Sequence, residues 1–131
     1  MPSVRVGLFP PIFQLELDPD RLQASLAGVV EESVDHVRVG DHVSFFVGAG
    51  SDGLTMATAL LSTQAELPVY VGLYLLPLRH PVLVARQLAT IAQVAPGRLT
   101  LGVGIGGEDR HEIEVCGVDP QTRGRRMDEC L

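Results

Sequence analysis

The sequence contains no tryptophan, no lysine and no asparagine, and only two cysteines in 131 residues. Two cysteines, Cys116 and Cys130, exclude a disulfide scaffold and any four-cysteine zinc site. All ten basic residues are arginine. Lysine and asparagine share A-rich codons, so their joint absence points to a GC-rich genome rather than to a function. Runs of like charge are missing, and no stretch of 18 apolar residues occurs, so a membrane-spanning helix is not expected. The opening MPSVRVGLFPPIF lacks the apolar run and small-residue cleavage site of a secretory signal. A soluble cytoplasmic protein is therefore expected. With 46% apolar residues the chain can build a core, which excludes disorder as its main state. A net charge of −6 argues against nucleic acid or anionic membrane as the general partner.

Apolar runs alternate with helical patterns. Val4 to Phe9 reads as a first strand. Asp18-Pro19 supplies an N-cap and a proline at the first helical position, opening a helix to about Glu32. Val34 to Gly40 is a second strand, followed by a glycine- and serine-rich loop from Asp41 to Ser51. Asp52 can cap a second helix carrying Leu54, Ala57, Leu60 and Leu61 on one face, with Pro68 beyond its end. Val69 to Leu76 is nearly continuous apolar sequence, the mark of a strand covered on both faces. Val84, Leu88 and Ile91 define a third helix, stopped by Pro96-Gly97. Arg98 to Ile105 is a fourth strand, and Gln121 to Leu131 reads as the opening of another helix.

This order predicts an α/β fold with a parallel sheet. Four βα units in 131 residues are roughly 33 residues each, and eight would make about 260, the size of a typical barrel. The chain is then either a four-stranded doubly wound domain or half of a barrel. The lack of a fifth strand before Leu131 favours the half barrel, one domain over residues 1–131.

Parallel α/β proteins bind ligands at the carboxyl ends of their strands. That rule selects Phe9-Pro10-Pro11, Gly40-Asp41-His42, Tyr74-Leu75-Leu76 and Gly104 to Glu108. Asp41-His42 joins a carboxylate to an imidazole, a pair able to orient a ligand or exchange protons with it. It can equally be a loop cap beside a surface histidine. Gly102 to Gly107 contains GxGxxG, but it follows the fourth strand and leads into the acidic Glu108-Asp109-Arg110-His111-Glu112, a poor setting for a dinucleotide phosphate. The acids there lack metal-ligand spacing and read as a solvated helix start, so no metal is expected. His80-Pro81 reads as a structural turn. Arg123-Gly124-Arg125-Arg126 reads as salt bridges or a subunit contact, and both cysteines as ordinary thiols.

Taken in order, Asp41-His42, LPLRHP (76–81), PGRLTLGVGIGG (96–107), a glutamate and CGVDPQTRGRRMDECL (116–131) resemble the N-terminal part of the bacterial luciferase-like family. The resemblance covers nearly the whole chain. It implies a (β/α)8 TIM-type barrel, of which this chain carries about the first four βα units. It also implies FMN or the deazaflavin coenzyme F420 at the carboxyl face.

By that resemblance Asp41 contacts the polar edge of the cofactor ring, and His42 lies near its reactive carbon. Tyr74 and Leu75 form a ring-supporting bulge, often with a non-prolyl cis peptide, while Gly104 and Gly106 admit the ring. Glu108 is the candidate acid beside His42, although Gly107 stands where some relatives place that glutamate. The implied activity is hydride transfer between F420 and a small organic substrate. The alternatives are an FMN-dependent monooxygenase, a non-catalytic half barrel, and a doubly wound nucleotide-binding domain. F420 is preferred because the Asp-His pair resembles that branch and the GC-rich signature suits its users. The unclosed sheet of a half barrel implies a partner surface, and a homo-oligomer is expected.

Overall fold

A computed structural model describes residues 4–9, 18–32, 34–45, 48, 50–107 and 109–131. Its elements are β1 (Gly7–Leu8), α1 (Pro19–Glu31), β2 (His36–Val39), α2 (Gly53–Thr63), β3 (Val69–Leu75), α3 (Pro81–Val94), β4 (Leu99–Gly104), α4 (Arg110–Val115) and α5 (Arg123–Cys130). A single 3₁₀ turn, Leu76–Leu78, follows β3.

Local chemistry sets the helix ends. The Asp18 carboxylate accepts the Arg21 N–H at 3.0 Å, and that of Asp52 accepts the Thr55 N–H at 2.8 Å. Pro19 and Pro81 occupy first-turn positions that need no N–H donor. His80 precedes α3 without a side-chain capping bond, so it is a turn residue as expected. At the far end of α2, Arg98 donates to the Leu61 and Gln64 carbonyls at 2.8 and 2.7 Å, placing a cation where the helix dipole favours one. Gly97 turns the chain after α3 at φ 70°.

The four strands are parallel in the order β1-β2-β3-β4, with Gly7 beside His36, Val37 beside Val69 and Val69 beside Leu99. Every crossover steps in one direction. Right-handed crossovers then lay all the helices on one face. A doubly wound sheet reverses its strand order at a switch point. None occurs among the described residues, so that alternative is excluded and the wall of a barrel remains.

The core lies between sheet and helices. Val37, Val39, Val69 and Val71 are 0–1% exposed there, against Leu22 and Leu26 of α1, Leu54, Ala57, Leu60 and Leu61 of α2, and Val84 and Ile91 of α3. A second cluster of Leu75, Leu78, Ile113 and Val118 seats α4 over the end of β3.

Two strand expectations and one for the acidic stretch change. The first strand is limited to Gly7–Leu8, paired with His36 and Val37 of β2. β3 is not covered on both faces: Val69 and Val71 face the helices, while Leu73 is 51% exposed on the other side. The acidic stretch after β4 is not solvated throughout, since Glu112 is 4% exposed.

Candidate functional site

Phe9, Arg38, Gly40, Gly72, Leu73 and Gly104 line a cavity of about 510 Å³ at the carboxyl ends of the strands, together with Asp41, His42 and Asp109. That size suits a small molecule or cofactor ring. Its shape follows from glycine. A Cβ on Gly104 would lie 2.9 Å from Leu73 Cδ1, and one on Gly102 would lie 2.8 Å from the Tyr70 hydroxyl. The missing side chains let Leu73 fold across β4 as an apolar platform.

The platform depends on an irregularity. The register between β3 and β4 slips between Val71 and Tyr74, and the Gly72–Leu73 peptide is cis. The bulge advances the side-chain alternation by one. Leu73 therefore faces the cavity, and Tyr74 faces the helices at 1% exposure. This corrects the expectation for Tyr74-Leu75: the cis bond lies two residues earlier, and Tyr74 does not line the cavity. Leu75 does.

Asp41 also takes a different place. Its carboxylate is fully buried and saturated. Oδ1 accepts the Gly53 N–H and Arg79 Nη2 at 2.8 and 2.7 Å, and Oδ2 accepts the Leu75 N–H and Arg79 Nη1 at 2.8 and 2.6 Å. All four acceptor positions are used inside the protein, so the carboxylate serves as an anchor, while Asp41 still borders the cavity beside His42. It ties the loop after β2 to the end of β3. Burial, the largest influence, pushes its carboxyl above the ordinary range, against those N–H donors and the charge of Arg79.

Arg79 sits 4.4 Å from the Tyr74 ring centroid and also donates to Asp52 at 3.1 Å. Burial works against its charge, but Asp41, Tyr74 and Asp52 outweigh burial and shift it up. Burial pushes the Tyr74 phenol up to about 12.

His42 turns the other way, into the cavity. Its ring stacks on Phe45 with centroids 4.1 Å apart, and Nδ1 lies 3.3 Å from Glu112 Oε2. The other oxygen, Oε1, accepts the Val43 and Ser44 N–H groups at 2.6 and 3.1 Å. One carboxylate from α4 thus holds both the histidine and its loop. That contact engages Nδ1, and Nε2 has no partner among the described residues.

Gly104 and Gly106 border the cavity, Gly106 at φ 72°. Gly102 and Gly104 serve the close approach of Tyr70 and Leu73, which replaces any phosphate-loop reading of GxGxxG. Glu108, Pro10 and Pro11 lie outside the described residues.

Sequence reasoning missed three residues. Arg38 was signalled by alternation, since Val37 and Val39 face the core. Arg79 stood inside the LPLRHP motif without a role. Glu112 follows the N-cap Asp109 by three positions, a capping-box spacing that hid its longer reach.

Residues 16–131 match the luciferase-like monooxygenase family. The chain is 36% identical over 96 residues to 4-hydroxyprotoasukamycin monooxygenase of Streptomyces nodosus subsp. asukaensis, which is 71% of this chain and 25% of that protein. The oxygenating constituent of 3,6-diketocamphane monooxygenase from Pseudomonas putida, solved with FMN, superimposes with a TM-score of 0.80 at 18% identity, covering 98% of this chain and 38% of that one. A coenzyme F420-dependent tetrahydromethanopterin reductase from Methanopyrus kandleri gives 0.62 at 18% identity, covering 97% and 38%. The chain spans about a quarter of the length of the curated relatives it matches. It belongs to the luciferase-like monooxygenase family, and its four parallel βα units correspond to the N-terminal part of that family's barrel.

Proposed function

We propose that this chain forms the ring-binding wall of an FMN-dependent monooxygenase. The observation that carries the reading is the Leu73 platform, flanked by glycines and faced by the His42–Glu112 pair. FMN takes precedence over F420 because the monooxygenases among the relatives, and a structural neighbour holding FMN, outweigh one F420-dependent neighbour.

The residues present fit a flat, partly apolar ring. Leu73 meets a ring face without competing for hydrogen bonds, and Gly104 leaves room for it to lie flat. When bound, FMN supplies the electrons that activate oxygen. The chain's own part is orientation and proton placement. Glu112 holds Nδ1 and thereby fixes which way the His42 ring points. Nε2 is then free to hold or release a proton at the cavity wall. Phe45 shields the opposite face of the imidazole from water. Asp41 and Arg79 keep the ends of β2 and β3 in register beneath them.

Titration of the intact protein with FMN and with F420, followed by fluorescence, tests this reading. Tighter binding of FMN, and a loss of about tenfold or more in its affinity with Leu73→Asp, supports it. Tighter binding of F420 reassigns the wall to a deazaflavin oxidoreductase. Binding of neither overturns both.

A further inference from the structure

We propose that Asp109 makes this cavity selective for substrates that carry a hydroxyl group. The inference rests on the monooxygenase reading above and names the class of molecule that the reaction takes.

Asp109 follows Gly106-Gly107 beyond the end of β4 and caps α4. Its Oδ1 accepts the His111 and Glu112 N–H groups at 2.9 and 3.4 Å. The residue is 8% exposed and borders the cavity. Its other oxygen, Oδ2, is buried without a hydrogen-bond partner. Capping therefore explains one oxygen of this carboxylate and leaves the second unused. Serine or asparagine caps a helix as well as aspartate does, without a second buried carboxylate oxygen. Buried polar atoms are nearly always bonded, so an orphan beside a cavity marks a group that a ligand completes.

The cations around it do not complete it. Among the described residues no ion pair joins Asp109 to an arginine: Arg79 serves Asp41 and Asp52, and Arg110 serves Glu114. Arg38, in the same cavity, gives Nε and Nη2 to the Gly72 carbonyl at 3.0 and 2.5 Å.

Height says which molecule meets Asp109. Its Oδ1 caps Glu112, and the Glu112 carboxylate meets His42 Nδ1 at 3.3 Å. Asp109 thus stands on the level of His42, beyond the strand ends. A ring lying on Leu73 is deeper, and a substrate lying over that ring meets Asp109 and His42 together.

The unused groups that face such a substrate are of both kinds. A carboxylate oxygen only accepts, and a guanidinium only donates. Arg38 Nη1 and His42 Nε2 have no partners among the described residues. An ammonium group offers donors alone, and a ketone or ether oxygen only accepts. A hydroxyl does both, donating to Asp109 while its oxygen accepts from the other side. Oδ2 is covered by its surroundings, so the carboxylate turns slightly to meet the hydroxyl. The 3.4 Å bond to Glu112 is long and weak enough to give way. A site built to bond a hydroxyl discriminates strongly against an analogue that lacks it, because its own polar group is then left unpaired.

The test measures dissociation constants of phenol and anisole on the intact FMN-loaded protein, Asp109→Asn and Asp109→Ser, from the change in flavin absorbance. Anisole keeps the ring and the oxygen of phenol but lacks the donor. The parent is expected to bind phenol about tenfold more tightly, or better. Both variants keep a capping oxygen for α4. Asparagine puts a donor where Oδ2 was, and serine removes that oxygen. Each should lose most of the phenol preference while binding anisole as the parent does. Melting without ligand identifies a variant that fails to fold, and the other then carries the comparison. A preference that survives in the variants, or equal weakening of both probes, overturns the assignment while leaving the flavin reading intact. So does a parent that binds FMN but shows no preference for phenol, or binds neither probe. A parent that binds no FMN overturns the flavin reading, and this inference with it.

Discussion

Asp41 and His42 are adjacent in sequence but belong to regions built on opposite terms. Beneath the strand ends, Asp41 and Arg79 form a sealed pair packed on the Tyr74 ring, in which each Asp41 oxygen accepts two hydrogen bonds. Above them, His42, Arg38 and Leu73 face an open cavity, with Nε2 and part of a guanidinium free of described partners. Both regions are polar, so composition does not separate them. Saturation does. Groups whose hydrogen bonds are all made inside the protein hold the backbone in place, and groups with unused capacity are available to a ligand.

Breaking the sealed region has the largest expected effect. Arg79→Met removes the partner of a carboxylate that is 0% exposed and leaves that charge stranded. Breaking such a buried pair from one side costs about 3–5 kcal/mol. Urea denaturation at pH 7 should show a loss of that order. A loss below about 1 kcal/mol would mean that Asp41 finds water or another donor, and that the region is not sealed.

On the cavity side the expected balance is reversed, with a smaller loss of stability and a larger loss of binding. Gly104→Ala puts a methyl group about 3.0 Å from Leu73 Cβ and 2.9 Å from Cδ1. Overpacking of this kind costs about 1–3 kcal/mol. Leu73 is half exposed and can move into the cavity, so the cost should fall at the lower end. That movement displaces the platform. Isothermal titration should show FMN affinity reduced by about tenfold or more while the protein remains folded. Unchanged affinity would show that the platform is not where the ring lies.

The helix side of the sheet was legible because it obeys a period. Leu54, Leu60 and Leu61 recur at helical spacing, and Asp18 and Asp52 cap in positions that local chemistry requires, whereas the one-sided burial of Val69 and Val71 was hidden in an apolar run that read as covered on both faces. The strand ends were legible as a location for the same reason, and His42 was found there. The roles were harder to read. Tyr74 and Leu73 exchanged sides because a bulge shifted the alternation, and its one sign in the apolar run Val69 to Leu76 is Gly72, a glycine inside a strand. Asp41 was assigned to a ligand because its partner, Arg79, lies 38 residues away. Glu112 is 70 residues from His42. Long-range pairing of polar groups has no sequence period, so the cavity's electrostatics emerged only with the fold.

The smallest effect lies at the margin between the two regions, at Asp52. Its side chain is 40% exposed, so its ion pair with Arg79 is screened by water. Burial works to raise its carboxyl, but the Thr55 N–H donor and Arg79 outweigh burial and hold it below the ordinary 3.8. A depressed carboxyl contributes stability above the unfolded value and loses it as pH falls through the lower folded one. Asp41 acts with the opposite sign, because burial raises it. The parent's acid limb is therefore a sum, and a variant is needed to separate its parts. Asp52→Asn keeps an effective N-cap for α2 while removing the titration. Urea midpoints from pH 6 downward should differ between parent and variant by a constant amount until about pH 4, and the gap should then narrow as the parent's Asp52 takes up its proton. A gap that stays constant to pH 2 would show that Asp52 contributes through its cap alone, which would make Asp41 the only carboxylate on which the charge of Arg79 depends.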